Sequence, residues 1–433
     1  MLRRYIQLGL LHVALALTAL PVDSTLNRVM IQELGLSATL TTLLISLPYL
    51  FAPIQILVGV LADRHPVAGR RRTPYILIGL LLSVAGVAAA PAAILLVPSS
   101  RLLGLALSLA AFGVWGLGFN FATASYFALA SELFGEQRRS RAVAGMYAMM
   151  ILTMIGMGIT LSRLVDPYTP AALLRAVWTA AGAALVAGLL GLIKLEPAAS
   201  AESRPAEQPA IRAMAGLVAG NAQARTFFIY LLLLLAAILG QDALLEPYAA
   251  QAFGLSVSQT SRLTSLYGVC FLLALGLAAL AERRLSKRAV AQLGAAGGVL
   301  GFGLIVAAGG LGQLGLFYGG LVVLGLAIGL STVSNHSLML DMTTPANVGL
   351  YIGAWGMAAS LARLVGSVLG GVVRDSLAAG LGDALLGYEA AFALNAGFLV
   401  ITLVLLRSID AGRFRRRADQ PGVLEQMALA QET

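Results

Sequence analysis

The chain has 433 residues, of which 59% are hydrophobic and only 11% are charged, and its mean hydropathy is +0.86. Soluble proteins carry about a quarter charged residues, so this composition excludes a soluble globular protein and indicates a chain that crosses a membrane repeatedly. The net charge of +9 does not indicate a nucleic-acid-binding protein, because the basic residues cluster in short turns at the ends of apolar runs, where they set membrane topology.

Twelve apolar stretches are long enough to be transmembrane helices, since a span needs about 20 apolar residues. They lie at residues 5–31, 38–62, 73–97, 102–134, 140–165, 171–194, 225–250, 256–281, 288–309, 313–340, 346–374 and 385–407. The basic start, with Arg3 and Arg4, resembles that of a signal peptide. The apolar run continues to Asp23 without a small-residue cleavage site, so we expect a retained first span.

Residues 195–224 separate these stretches into two sets of six and are rich in Pro, Ala, Ser and charge, which predicts a flexible linker. We therefore expect an all-α membrane protein with one six-helix half at 1–194, a second at 225–407 and a tail at 408–433. Arginines are concentrated in the connections on the side of both termini, which predicts that the linker, the tail and both termini are cytoplasmic.

The two halves look like copies of each other, displaced by 219 residues. Three matches carry this interpretation: Asp63-Arg64 with Glu282-Arg283, Asp23 with Asp242, and residues 35–37 with residues 254–256. One constant offset at separate places predicts a duplicated bundle, which is the organisation of secondary transporters.

Five ionisable residues inside predicted spans are candidates for a substrate groove, since each costs about 2.5–3.5 kcal/mol at the span centre and needs a reason to be there. They are Asp23, Arg28, Asp242, Glu246 and Arg363. We expect the three acids to face the groove between the halves, with Arg363 paired to one of them, because an unpaired charge would be unstable there. The alternative is that these acids only cap helix ends or hold the helices in register.

A second set of charged residues lies at the basic turns on one side of both halves. The set comprises Asp63, Arg64, Arg71, Arg72 and Glu132 in the first half, and Glu282, Arg283 and Asp341 in the second. We expect Arg64 to lie near Glu132. By the same reasoning Arg283 should lie near Asp341, and such pairs would close the cytoplasmic side in one state and break in another.

Histidines are scarce: His12 and His336 fall within spans and His65 in a basic turn. A neutral imidazole can ligate a metal, including the magnesium of a chlorophyll, although a lone histidine in a span is more commonly only hydrogen-bonded. The sequence has no Cys/His cluster, no set of residues typical of a catalytic nucleophile and no G-x-x-x-x-G-K-[ST] motif. We therefore expect neither an enzyme nor a bound metal, and no ATP-driven transport by this chain alone.

Several segments together resemble known membrane proteins. The pattern G-x-x-x-D-R at residues 59–64, followed by a basic cluster between the second and third of twelve spans, resembles the major facilitator superfamily. A finer match is to the bacteriochlorophyll delivery family, the PucC/LhaA-type proteins of photosynthetic bacteria. The segments that resemble this family are residues 25–35 (TLNRVMIQELG), 63–76, 241–257, 339–343 and 353–356.

The resemblance implies an integral protein of a bacterial inner membrane that assists light-harvesting complex assembly by binding or delivering (bacterio)chlorophyll. It implies bacteriochlorophyll or chlorophyll as a bound cargo instead of a covalent cofactor, and antenna polypeptides and membrane lipid as partners. Such a pigment needs an apolar groove with a few polar contacts. The candidates for pigment contact are His12, Trp115, Asn120, His336 and Trp355.

Two other functions stay open. A proton-coupled transporter of a small solute would use Asp23, Asp242 or Glu246 as its proton site. A pigment-free assembly chaperone would bind antenna polypeptides alone. The absorption spectrum of the purified protein distinguishes pigment binding from both.

Overall fold

The computed structural model describes most of the chain, and this part is helical apart from short connections, which confirms the prediction of an all-α membrane protein. The described residues are 2–67, 69–134, 136–196, 211–344 and 347–418.

The first half begins with a helix that continues as two short π-helical segments, Val22–Leu26 and Val29–Glu33, and so crosses the membrane as one 32-residue stretch. Its α-helices are α1 (Leu2–Pro21), α2 (Ala38–Ile45), α3 (Leu47–Leu50), α4 (Ile54–Arg64), α5 (Thr73–Leu95), α6 (Arg101–Leu133), α7 (Glu136–Leu164) and α8 (Pro170–Leu192).

The second half repeats this order after one additional helix. Its helices are α9 (Ile211–Gly220), α10 (Ala222–Gly240), α11 (Asp242–Phe253), α12 (Val257–Ala281), α13 (Lys287–Leu311), α14 (Leu314–Asp341), α15 (Val348–Leu381), α16 (Ala384–Ser408) and α17 (Ala411–Ala418). We call the end of the bundle at which α4, α8, α12 and α16 finish the basic end, and the other the opposite end.

Eleven helical stretches of the described chain are long and apolar enough to cross a membrane, and the predicted span at 38–62 is instead split into α2, α3 and α4. Pro48 in the first turn of α3 and Pro53 just before α4 cannot donate the hydrogen bonds of a continuous helix. The amide of Asn120 on α6 supports the break: its Nδ2 donates to the Pro48 carbonyl at 2.8 Å, and its Oδ1 accepts from Gln55 Nε2 at 2.7 Å.

Turn details recur at the 219-residue offset that the sequence predicts. The first and seventh spans both end at a glycine in the left-handed region, Gly35 with φ 64° and Gly254 with φ 65°. A Cβ at either glycine would meet nothing within 4 Å, so the backbone conformation and not space favours glycine there. Two residues later Ser37 and Ser256 each cap the following helix through the side-chain oxygen.

The helices pack as two groups, one in each half: α1 contacts α5, α6, α7 and α8, and in the second half α10 contacts α15 and α16 while α13 contacts α14 and α16. Small residues allow the closest approaches, as is common between helices in lipid. A Cβ on Gly86 of α5 would lie 2.6 Å from the carbonyl oxygen of Ala111 on α6, and one on Gly301 of α13 would lie 2.9 Å from the backbone nitrogen of Leu324 on α14. The two groups meet where α7 packs on α12 and where α2 and α3 pack on α15.

Two predicted connecting segments are partly helical. The expected flexible linker contains α9, which packs on α10 and α15, so a flexible chain was the wrong prediction for residues 211–220. Residues 197–210 lie outside the described residues. In the tail, α17 packs Phe414 against Tyr351 with ring centroids 5.0 Å apart, and residues 419–433 again lie outside the described part.

Candidate functional site between the two halves

Arg363 of α15 lies between segments of both halves. Its Nη2 is 2.9 Å from Asp23 Oδ2 and 3.6 Å from Asp242 Oδ2, and its guanidinium lies 4.9 Å from the centroid of the Tyr49 ring on α3. The expected pairing of Arg363 with an acid of the first or seventh span is therefore present, and it extends to both acids. One cation shared by two repeat-related carboxylates ties the halves together, and contact with a cargo stays a prediction.

Interruptions of the two spans position both acids. Asp23 lies in the π-helical segment after Pro21, and Asp242 is the first residue of α11 after α10 ends. The interruptions begin at Val22 and Gln241, again 219 residues apart. Gln241 Nε2 donates to Asp242 Oδ1 at 2.7 Å. A short π-helical segment like the one that carries Asp23 is frequent at functional sites.

Polar side chains of the first span bond to the seventh. Pro247 has no N–H to donate to the Ala243 carbonyl, and Asn27 Nδ2 donates to that carbonyl instead, at 3.1 Å. One turn further along, Gln32 Nε2 donates to the Pro247 carbonyl at 3.0 Å and to the Tyr388 hydroxyl at 3.1 Å. Hydrogen bonds therefore connect the first and seventh spans from the Arg363 cluster towards the opposite end.

Arg28 has partners that differ from the expected groove residues. It is buried, forms an ion pair with Glu33, and donates from Nη2 to the Leu255 carbonyl at 3.1 Å. In the connection between α7 and α8, burial raises the pKa of Tyr168, the Glu33 carboxylate adds to the increase, and Arg28 opposes it. The structure thus places Arg28 in a joint between the first span and the start of α12, with Glu33 as its unforeseen partner.

Glu246, the third predicted acid, is buried on α11 with 3% of its surface exposed. Its Oε1 accepts a hydrogen bond from Thr264 Oγ1 on α12 at 2.9 Å. Thr264 carries no recognisable pattern in the sequence, because an apolar span commonly contains a few hydroxyl side chains.

No sequence pattern pointed to Asp375 of α15, which joins the halves at the opposite end. Its Oδ1 accepts from the backbone N–H of Ala38 at 3.1 Å, and its Oδ2 accepts from the backbone N–H and hydroxyl of Thr39, both at 2.7 Å. Arg374 Nη1 donates to Oδ1 at 2.8 Å. The N-terminus of α2 is therefore capped by a carboxylate from the other half.

At the basic end of the first half, Arg72 takes the position expected for Arg64. Arg72 Nη2 is 2.6 Å from Asp63 Oδ1 and 2.7 Å from Glu132 Oε1, whereas Arg64 is exposed at the end of α4. The prediction was wrong about the arginine, because the turn folds back so that the third base of the cluster reaches both acids. Glu196, at the start of the predicted linker, was not foreseen.

Glu196 accepts three backbone hydrogen bonds where α5 begins. The donors are the N–H groups of Arg71 at 2.8 Å, Arg72 at 2.9 Å and Thr73 at 2.6 Å. A carboxylate at a helix N-terminus satisfies otherwise unpaired donors and favours the helix dipole. The end of α8 is thereby fixed to the turn that precedes α5.

The second half has a smaller cluster at the basic end. Asp341 pairs with Lys287, whose Nζ is 2.8 Å from Asp341 Oδ2, and Arg283 is exposed. The predicted Arg283 partner is thus replaced by Lys287. Glu282, the repeat-mate of Asp63, is the C-cap residue of α12. A gating role for either cluster stays a prediction.

A cavity of about 490 Å³ lies between the interrupted second span and α15. Most of its wall is apolar, and Tyr49, which stacks below Arg363, belongs to it, so the cavity adjoins the charge cluster. Its lining residues are Tyr49, Leu50, Ala52, Pro53, Gln55, Ile56, Met214, Phe228, Gly353, Gly356, Met357, Ser360, Leu361 and Leu364.

The two histidines of the spans differ in their surroundings. His12 is buried, with Nδ1 2.5 Å from the Tyr126 hydroxyl and its ring edge-on to Phe127 and Tyr147. His336 is exposed on α14 and its Nδ1 is 2.7 Å from the Thr332 carbonyl. A carbonyl only accepts, so Nδ1 of His336 is the donor, and in the neutral ring this tautomer leaves the lone pair on Nε2.

The other three pigment-contact candidates are buried in helix packing. Trp115 donates from Nε1 to Thr18 Oγ1 at 3.2 Å, and Trp355 lies edge-on to Phe227 at 4.9 Å between centroids. Asn120 supports the break in the second span, as described above. These contacts give all three a structural role in this conformation.

Comparison with known proteins agrees with this architecture. Residues 25–414 match the family described as "PUCC protein". "Protein PucC" of Rhodobacter capsulatus is 31% identical over 421 residues, which cover 93% of this chain and 91% of the relative. "Protein PucC" of Cereibacter sphaeroides is 32% identical over 95% of this chain and 94% of the relative. The "Bacteriochlorophyll synthase 44.5 kDa chain" of Rhodobacter capsulatus is 28% identical over 94% of this chain and 95% of the relative.

Solved structures show the same fold at low identity. A mutant of the nucleoside transporter NupG superposes with a TM-score of 0.73 at 14% identity, over 94% of this chain and 99% of NupG. A bacterial homologue of the human lysosomal transporter Spinster, in an inward-facing and occupied conformation, also gives 0.73, at 12% identity over 96% of this chain and 98% of that one. The fold is that of the major facilitator superfamily.

Proposed function

Because the chain belongs to the PUCC protein family, we propose that this multi-pass bacterial membrane protein assists light-harvesting complex assembly by binding (bacterio)chlorophyll and presenting it to antenna polypeptides. The relative named "Bacteriochlorophyll synthase 44.5 kDa chain" supports a pigment context. We propose no catalytic step for this chain, because a transporter fold acts by binding and moving a cargo.

The observation that carries the proposal is the cavity beside Tyr49. Its volume of about 490 Å³ falls in the range of about 300–1,000 Å³ that is typical of small-molecule sites, which are mostly apolar with a few placed polar groups. Gln55 and Ser360 supply such polar groups here. A pigment with a flat ring and a hydrophobic tail is mostly lipid-soluble, so apolar walls at the junction of the halves suit it better than an aqueous channel.

His336 of α14 is not among the residues that line this cavity, and we propose it as a second contact, a ligand of the pigment metal. Histidines that bind metals commonly donate their other ring N–H to a backbone carbonyl, which orients the ring and leaves the second nitrogen free. The Thr332 carbonyl fills that role for His336, which is an exposed residue. His12 is the second candidate, but its free nitrogen is enclosed by helix packing.

We also propose an orientation of the bundle in the membrane. The basic end, with Arg70 to Arg72 and Arg283, faces the cytoplasm, because loops rich in Lys and Arg remain on that side. We propose residues 1–194 and 225–407 as the two bodies that move, with the Arg363 cluster between them. Antenna polypeptides would approach through lipid-facing helix surfaces.

The test is the absorption spectrum of the full chain purified from cells that make the pigment. Near-stoichiometric bacteriochlorophyll bands support the proposal. A colourless protein that co-purifies with antenna polypeptides would replace it with a pigment-free chaperone. A colourless protein that takes up a solute in response to a pH gradient would replace it with a proton-coupled transporter.

Two variants locate the pigment once it is found. Gly356→Phe fills the cavity from α15, and Gly319→Phe is its control, because a Cβ at either glycine meets nothing within 4 Å. We expect loss of most bound pigment only for Gly356→Phe.

His336→Ala should shift the absorption bands through loss of the metal ligand, whereas His65→Ala, at an exposed histidine of the basic turn, should leave the spectrum unchanged.

A further inference from the structure

Glu246 has a carboxyl group that is only half satisfied. Its side chain is buried on α11, with 3% of the residue exposed. Thr264 donates to Oε1, and Oε2 makes no hydrogen bond within the described part of the chain. A buried carboxylate oxygen without a donor is costly, more so inside a membrane span, whereas a protonated carboxyl removes the charge.

The neighbouring charges do not compensate an ionised Glu246. Arg363 is shared between Asp23 and Asp242, so that group alone carries one excess negative charge. Arg28, whose positive charge acts on Glu246, already pairs with Glu33. An ionised Glu246 would therefore raise the excess to two negative charges in a medium of low dielectric constant.

Other titratable groups on the helices packed against α11 have partners of their own. Arg262 donates to Ser162 and Tyr230 to Asn335, while Arg374 pairs with Asp375. The remaining titratable groups on these elements are Tyr248 of α11 itself, Tyr267 and Cys270 of α12, Tyr351 of α15, and Tyr388 and Glu389 of α16, together with Arg225 of α10 and Arg407 of α16. Arg225 and Arg407 lie in the terminal turns of their helices at the basic end, so the other groups add acids and no further cation to the surroundings of Glu246.

The repeat provides an internal comparison. The position equivalent to Glu246 in the first span is Asn27, 219 residues earlier, and Asn27 donates to the Ala243 carbonyl of the facing span. A neutral polar side chain is thus compatible with this position in the duplicated architecture. Only the second half places an ionisable group there.

We propose that Glu246 is a proton-binding site that couples separation of the first and seventh spans to proton release. The carboxyl is protonated while the spans are joined. When they separate, water reaches the carboxyl and the proton leaves, and the charged form opposes closure. This function goes beyond pigment binding, because it would make movement of the halves depend on pH whatever the cargo is.

Infrared spectroscopy of the full chain in lipid nanodiscs tests the protonation. The wild type at pH 7 should show the carbonyl-stretch band of a protonated carboxylic acid, and Glu246→Gln should abolish it. Asp375→Asn is the control and should retain the band, because Asp375 accepts several hydrogen bonds and pairs with Arg374. A wild-type spectrum in which Glu246→Gln removes no such band between pH 6 and 8 would overturn the proposal.

A distance measurement tests the coupling. Spin labels at Ser100 and Gln313, both exposed in connections of the opposite end, report the separation of the halves, and the native Cys270 is buried. Raising the pH should increase the population of the longer distance in the wild type. Glu246→Gln, which mimics the neutral acid, should remove this pH dependence. An unchanged pH response in Glu246→Gln would refute the coupling without affecting the pigment proposal.

Discussion

The two halves agree in their backbone turns and differ in the ion pairs at the basic end. In the first half, Arg72 and Asp63 have side chains that are 6% and 5% exposed, and Arg72 also pairs with Glu132. In the second half, the residue 219 positions after Arg72 is Ala291, and the cluster contains the ion pair of Lys287 and Asp341, whose side chains are 43% and 32% exposed.

The two copies of a duplicated fold can therefore differ in rigidity at the same end of the bundle. The first half fixes α4, α5, α6 and α8 to one another through one buried arginine and the Glu196 cap. The second half holds α13 and α14 together at the same end by a pair that water screens. Opening at the basic end should therefore begin in the second half.

The strongest test of this comparison is Arg72→Ala. Removing one partner of a buried ion pair leaves an uncompensated charge, so we expect a loss of about 3–5 kcal/mol of stability. Thermal unfolding in detergent measures it, with Arg64→Ala as the control because Arg64 is exposed at the end of α4. Equal melting temperatures for the two variants would show that the buried network does not stabilise the first half.

A second test compares the repeat-related acids. Asp23 Oδ2 is 2.9 Å and Asp242 Oδ2 is 3.6 Å from the same Arg363 nitrogen. Asp23→Asn should therefore cost more, about 1.5–3 kcal/mol as for a hydrogen bond to a charged group, and Asp242→Asn should cost less. Unfolding in the same detergent gives both values, and a larger loss for Asp242→Asn would contradict the assigned geometry.

The contact between the halves at the opposite end supplies a third test. Asp375→Ala removes the carboxylate that caps α2 from the other half and leaves the Ser37 cap in place, and the loss should be about 0.5–2 kcal/mol. Because this cap crosses between the halves, the variant should also increase the spin-label distance between positions 100 and 313. Asp383→Ala is a matched control, since Asp383 caps α16 within one half and should leave that distance unchanged.

The sequence was sufficient for features that repeat or that follow from local chemistry. The apolar runs predicted the spans, and the 219-residue offset predicted that Asp23 and Asp242 are equivalent. The structure supports this equivalence, because both acids contact Arg363. It was insufficient where a partner lies far away in the chain. Glu196 caps a helix that begins 123 residues earlier, and Asp375 caps one that begins 337 residues earlier.

The smallest expected effect belongs to Lys287→Ala. Both members of the Lys287–Asp341 pair are partly exposed, and exposed pairs contribute about 0–1 kcal/mol and are screened by salt. The variant should therefore unfold almost as the wild type does, and the small difference should vanish as the salt concentration rises. A loss comparable to that of Arg72→Ala would mean that the second half is fixed at the basic end as firmly as the first, and the asymmetry between the copies would not hold.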